Sequence, residues 1–148
     1  GQQNPSAAFE ALGLALAHSA AVSRFFKPSR QGIEGISGAR GQKLARAFAV
    51  GPSSALNDRS LRDAIEHYDE RLDGYLLNPQ YGNTIGIGIG GPAPPMNDAA
   101  FPLRWVNIVD GRAQILGQEY DYANTKREIM RVLLLADKFM ESGCRLPN

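Results

Sequence analysis

The stretch Leu61–Leu77, LRDAIEHYDERLDGYLL, decides how the rest of the chain is read. Leu61, Ala64, Ile65, Tyr68, Leu72, Tyr75 and Leu76 recur at spacings of three and four, so one helix over this stretch lays them on one face. Arg62, Asp63, Glu66, His67, Asp69, Glu70, Arg71 and Asp73 fall off that stripe. Ser60, Asn57 and Ser54 are all competent N-caps, which leaves the start open by a turn. Gly74 weakens the far end, and Asn78-Pro79 ends it. Asp63 and His67 stand four apart and can meet, so the carboxylate would orient the imidazole and fix its tautomer. Arg62 and Glu66 share that spacing, and their pairing would hold the guanidinium near the ring. Arg62 and His67 themselves point about 140° apart on an ideal helix, so the arginine has to curl round to share a site with the histidine.

Outside this stretch, a length of 148 residues with 43% apolar and 21% charged residues fits one globular domain that can bury a core without disulfides or metal. The single cysteine, Cys144, excludes an internal disulfide and fits a reducing cytoplasm. No metal-ligand spacing is present, so no metal or other cofactor is expected. No apolar run approaches the roughly 20 residues of a membrane span. Ala11–Val22, interrupted by Gly13, His18 and Ser19, reads as a core helix and not a signal peptide. The net charge of +1 hides an asymmetry: residues 1–60 hold seven Lys/Arg against three acids. A basic half can supply phosphate contacts, or it can be a solvated surface.

In chain order, Pro5–Phe26 is the first helix, with Ser6 as its N-cap candidate. Leu12, Leu14, Leu16, Val22, Phe25 and Phe26 make it apolar round much of its circumference. His18 reads as structural, because nothing pairs with it. Ser29–Gly38 reads as a loop, and Ala39–Ala49 as a second helix with Leu44, Ala47 and Phe48 inward. Its polar face carries Arg40, Lys43 and Arg46, the candidate phosphate-binding residues. Thr84–Pro95, TIGIGIGGPAPP, has glycines but no helix can follow them into three prolines, which excludes a dinucleotide cradle. The alternation instead predicts an extended segment with Ile85, Ile87 and Ile89 on one side. Phe101–Val109 and Arg112–Tyr122 predict a hairpin round Asp110-Gly111, with Leu103, Trp105, Asn107 and Val109 on one face. Trp105 reads as packing, because no second aromatic repeats its position. Thr125 and Glu128 have capping-box spacing, which starts a last helix at Thr125. In that helix Ile129, Val132, Leu133, Ala136 and Met140 form one stripe, broadened by Met130, Leu134 and Phe139.

The segment RDAIEH, Arg62 to His67, resembles the HEPN superfamily signature, in which an arginine and a polar residue precede a histidine by a short interval. The longer string LRDAIEHYDERLDGYL is similar to the corresponding helix of a bacterial HEPN-like group, and the likeness extends to the first helix, the Arg40-Gly41 helix start and the C-terminal hairpin and helix. The resemblance implies a mainly α fold: a HEPN-like up-and-down bundle of about four main helices with a β-hairpin inserted before the last. It implies a homodimer whose paired motif helices build a composite Arg/His site for metal-independent RNA cleavage, leaving 2′,3′-cyclic phosphate ends. Arg62, His67 and Asp63 would be the catalytic residues and Glu66 a support. A first helix packed beside the motif helix would bring Ser23 and Arg24 towards the site. RNA would be the substrate, in a toxin–antitoxin or phage-defence setting, with a neutralising antitoxin of nucleotidyltransferase type as a partner and no membrane. Metal-free cleavage needs a base for the 2′-hydroxyl proton, an acid for the leaving oxygen and a cation for the phosphorane charge. Histidine serves either proton role, and arginine offers a planar fork to phosphate. Other HEPN-like domains keep the fold and bind RNA or protein without cutting, which is the alternative reading. The bland reading is an exposed cluster that supports its helix by a few tenths of a kcal/mol per pair.

Overall fold

A computed structural model describes residues 4–27, 35–96 and 100–143. Cys144, the stop at Pro28 and most of the loop expected over Ser29–Gly38 lie outside the described residues. The described elements begin with α1 (Pro5–Phe26), α2 (Ile36–Ala47), a single 3₁₀ turn over Ala55–Asn57, α3 (Ser60–Glu66) and α4 (Tyr68–Leu77). Six short strands follow: β1 (Thr84–Ile85), β2 (Gly88–Gly90), β3 (Phe101–Pro102), β4 (Arg104–Asn107), β5 (Arg112–Ile115) and β6 (Gln118–Asp121). The last element is α5 (Ala123–Glu141).

The expected mainly helical bundle is therefore wrong. Among the described residues there are five helices and two sheets with six strands, an α/β mixture. Two compact units divide the chain: residues up to Leu16 with Arg59–Ala123, and Ala17–Asp58 with the residues from Asn124 on. All six strands belong to the first unit, and α1 contributes its opening turns there and its later turns to the second.

The first unit is built on a four-stranded sheet in the order β2-β4-β5-β6. β2 runs parallel to β4, with Ile89 opposite Val106, while β4–β5 and β5–β6 are antiparallel. β1 and β3 form a separate parallel pair. Strand alternation sends Val106, Ala113, Ile115 and Tyr120 to one face, where Phe9 of α1 and Leu61 and Ala64 of α3 close the core. Ile87 and Ile89 pack against that core, whereas Ile85, expected on the same side, lies in β1 of the other pair. The opposite face carries Trp105, Asn107, Arg112, Gln114 and Glu119. The Trp105 ring lies over Gly88, where an added Cβ would overlap it, so glycine is required there. Phe101 is stacked between Tyr75 and Tyr81, each 5.0 Å away, which ties α4 to the β1–β3 pair.

The hairpin expected round Asp110-Gly111 is present, with Asn107 opposite Arg112. Gly111 takes φ +69°, and a Cβ there would meet that of Ala123 at 2.6 Å. The expected strand Arg112–Tyr122 is instead a second hairpin: Leu116 and Gly117 have φ of 47° and 85°, and Ile115 pairs with Gln118. Positive φ at both central residues is the I′ geometry, and leucine hides it because it is not a turn residue.

In the second unit, Phe48, Val50, Leu56 and Val132 form the buried core. Phe26 and Phe139 meet Phe48 edge-on at 5.7 and 5.4 Å. Ala49, at φ 49°, lets Val50 N donate to Ala45 O, and Arg46 O accepts from Ala49 N, so α2 ends in a left-handed turn two residues before Gly51. Several element boundaries differ from expectation. Asn4, not Ser6, caps α1, accepting from the amides of Ser6 and Ala7. α5 starts at Ala123, so Thr125 is not a cap; its buried hydroxyl donates to Ala55 O at 3.5 Å. Met130, Leu133, Leu134 and Met140 of α5 are exposed, so the inward stripe is Ile129, Val132, Ala136 and Phe139 with Leu135.

Candidate functional site

The motif stretch is not one helix. α3 ends at Glu66 and α4 starts at Tyr68, with His67 at φ −109° and ψ 31° between them. Two backbone bonds bridge the joint: His67 N donates to Asp63 O at 3.1 Å and Arg71 N to His67 O at 3.2 Å. Asp69 and Glu70 fall in the first turn of α4, where the free amides favour acids. Leu61 and Ala64 anchor α3 in the core, and Arg71 anchors α4 by donating to the Tyr120 hydroxyl at 3.1 Å.

This joint sets the polar geometry. The Arg62 guanidinium donates through Nε to Glu66 Oε1 at 2.8 Å and through Nη2 to Oε2 at 3.2 Å, the expected pairing. That hydrogen bond holds the Glu66 carboxyl below the usual glutamate range and pushes Arg62 up. His67 lies 3.4 Å through Nδ1 from Glu70 Oε1, with a side chain 58% exposed. The carboxylate beside the imidazole is thus Glu70 and not Asp63, whose charge acts on Arg62 instead. The break at His67 turns the ring towards the next helical turn, and the spacing of three from His67 to Glu70 was the available signal.

Tyr68, the next residue, faces inward. Arg104 of β4 stacks 4.5 Å from the Tyr68 ring and 5.7 Å from that of Phe9. Burial pushes the Tyr68 phenol up, and the nearby Arg104 charge opposes this. The Arg104 Nε is buried without a hydrogen-bond partner among the described residues. No local sequence pattern marks Arg104, because its neighbours come from two distant helices.

Arg62, Asp63, Glu66 and His67 belong to the first unit; Ser23, Arg24, Arg40, Lys43 and Arg46 belong to the second. Ser23 is buried and donates its hydroxyl to Ala20 O at 2.9 Å, an internal bond of α1. Arg24, Arg40, Lys43 and Arg46 are exposed. Arg40 sits 6.0 Å from the Phe25 ring, and Arg46 Nε donates to Gln42 O at 3.4 Å. His18 is exposed.

Among the described residues no three His, Cys, Asp or Glu side chains are grouped to hold a metal ion. Among them, too, no helix is long and apolar enough to cross a membrane. Compared with family models, curated proteins and solved structures, the chain matches none.

Proposed function

We propose that the chain is a metal-independent endoribonuclease of the cytoplasm that works as a homodimer. The observation that carries this reading is the exposed His67 at the α3–α4 joint, with Glu70 against its Nδ1 and the Glu66-held Arg62 on the preceding turn. Glu70 leaves Nε2 for proton transfer. Arg62 keeps Nη1 for a phosphate oxygen. In the reaction, one His67 takes the proton of the 2′-hydroxyl, whose oxygen attacks the adjacent phosphorus. The second copy's His67 protonates the leaving 5′-oxygen as the P–O bond breaks, and a 2′,3′-cyclic phosphate remains. Arg62 balances the charge on the non-bridging oxygens. The exposed apolar side chains Met130, Leu133 and Leu134 on α5 suit association with a second copy.

A second reading, an RNA- or protein-binding module that does not cut, is favoured by one contact. Glu66 already occupies two donors of Arg62, so phosphate has to compete for the guanidinium.

The test is incubation of the purified protein with RNA in excess EDTA, with end-group analysis and sedimentation in parallel. The nuclease reading expects a dimer, cyclic phosphate ends and a loss of at least about 100-fold in His67→Ala. Cleavage that EDTA abolishes, or that His67→Ala retains, overturns it. RNA retention without cleavage supports the second reading.

A further inference from the structure

A hollow of about 300 Å³ lies on the open face of the four-stranded sheet, within the first unit. Its walls are the proline-rich strap Pro92–Met96, the turn residue Asp110 and the sheet residues Trp105, Arg112, Gln114 and Glu119. None of Arg62, Asp63, Glu66 and His67 lines it. Two hydrogen bonds build it in advance. Trp105 Nε1 donates to Gly91 O at 2.9 Å, which fixes the indole at the base of the strap. Gln114 Nε2 donates to Met96 Sδ at 3.2 Å, which ties the far end of the strap to the sheet.

The charges are not balanced. Arg112 is spent on Glu119, 2.8 Å away. Asp110 accepts from the Asn107 amide at 2.8 Å, and among the described residues no cation forms an ion pair with it. The hollow therefore combines an indole, apolar proline and methionine walls and one uncompensated carboxylate. An anion would meet Asp110 and find Arg112 already paired. A cation would gain from the indole and the carboxylate together. A planar guanidinium stacks on an aromatic wall and forks towards spread acceptors, which a compact ammonium does not. The volume is at the small end for ligand pockets, suited to a cationic head with a few carbons.

We propose that this hollow binds a guanidinium group on a short apolar stem. Trp105 is the one tryptophan in the chain, so its emission reports on the site directly. The titration uses butylguanidine and its neutral near-isostere butylurea on the intact protein. Butylguanidine gives a saturable change, butylurea gives none, and Asp110→Asn weakens the cation by about tenfold. A blocked Gly-Arg-Gly peptide forms the second arm. Tighter binding of the peptide assigns the site to an arginine side chain of a partner, and tighter binding of butylguanidine assigns it to a free small cation. Equal titration by butylurea, absence of saturation, or an unchanged Asp110→Asn overturns the proposal. If Asp110→Asn fails to fold by circular dichroism, the comparison of cation with urea on the unaltered chain decides alone.

Discussion

His67 shows how one residue's backbone decides which neighbour its side chain meets. On an unbroken helix Asp63 would be its partner; with the backbone opened at His67, Glu70 takes that place at 3.4 Å. Under the nuclease reading, Glu70→Gln therefore lowers cleavage by about tenfold, on the order of 1.4 kcal/mol in barrier, and Asp63→Asn by less. Rates for the two variants under single-turnover conditions check the order. Ala49 makes a second case. It holds a left-handed conformation at φ 49°, which a Cβ disfavours. Ala49→Gly relieves a strain of roughly 1–2 kcal/mol against about 0.5–1 kcal/mol of extra chain entropy, and the net rise in stability is read from urea unfolding. The left-handed position was not legible, because Gly51 is the residue that advertises a helix end and the chain turns two residues earlier.

At the level of elements, α1 and the hairpin at Asp110-Gly111 were legible because their signals are local: helical spacing and turn chemistry. The start of α5 was not. Thr125 and Glu128 have the spacing of a capping box, yet both are used within the second unit. Glu128 accepts from the Ser54 hydroxyl at 2.9 Å and from Arg131 at 2.8 and 2.9 Å. Arg131 also donates to Phe48 O at 2.7 Å, just beyond the end of α2. The Arg131 and Ser54 bonds hold the Glu128 carboxyl below its usual range. A carboxyl depressed in the folded state stabilises it above the ordinary glutamate range, and that contribution fades as pH falls through the lowered value. Glu128→Gln accordingly melts below the parent chain at neutral pH, and the gap narrows as pH falls below the ordinary glutamate range. A gap that stays constant across that window would show that the ion pair is not the source.

Across the whole chain, the basic excess of residues 1–60 belongs partly to α2, where Arg40, Lys43 and Arg46 are all exposed. If the proposed RNA substrate lies against them, replacing all three with glutamine weakens binding and flattens its log–log salt dependence by roughly 2, at about 0.7 per phosphate contact on a single strand. Filter binding over a salt series measures this, and an unchanged slope removes α2 from the interface. The candidate site was half legible: the Arg62–Glu66 pair follows from spacing, whereas Arg104 on the Tyr68 ring depends on a strand some 36 residues further along the chain. The sequence by itself determined which segments coil, which extend and where the sharp hairpin at Gly111 falls, because those preferences act between residues a few positions apart. Only the tertiary structure decided that β2 runs parallel to β4, that the motif helix opens at His67 and that a sheet stands where a bundle was expected. Those outcomes depend on which distant surface each apolar face finds to cover it, and strand partners leave no periodic mark in their own residues.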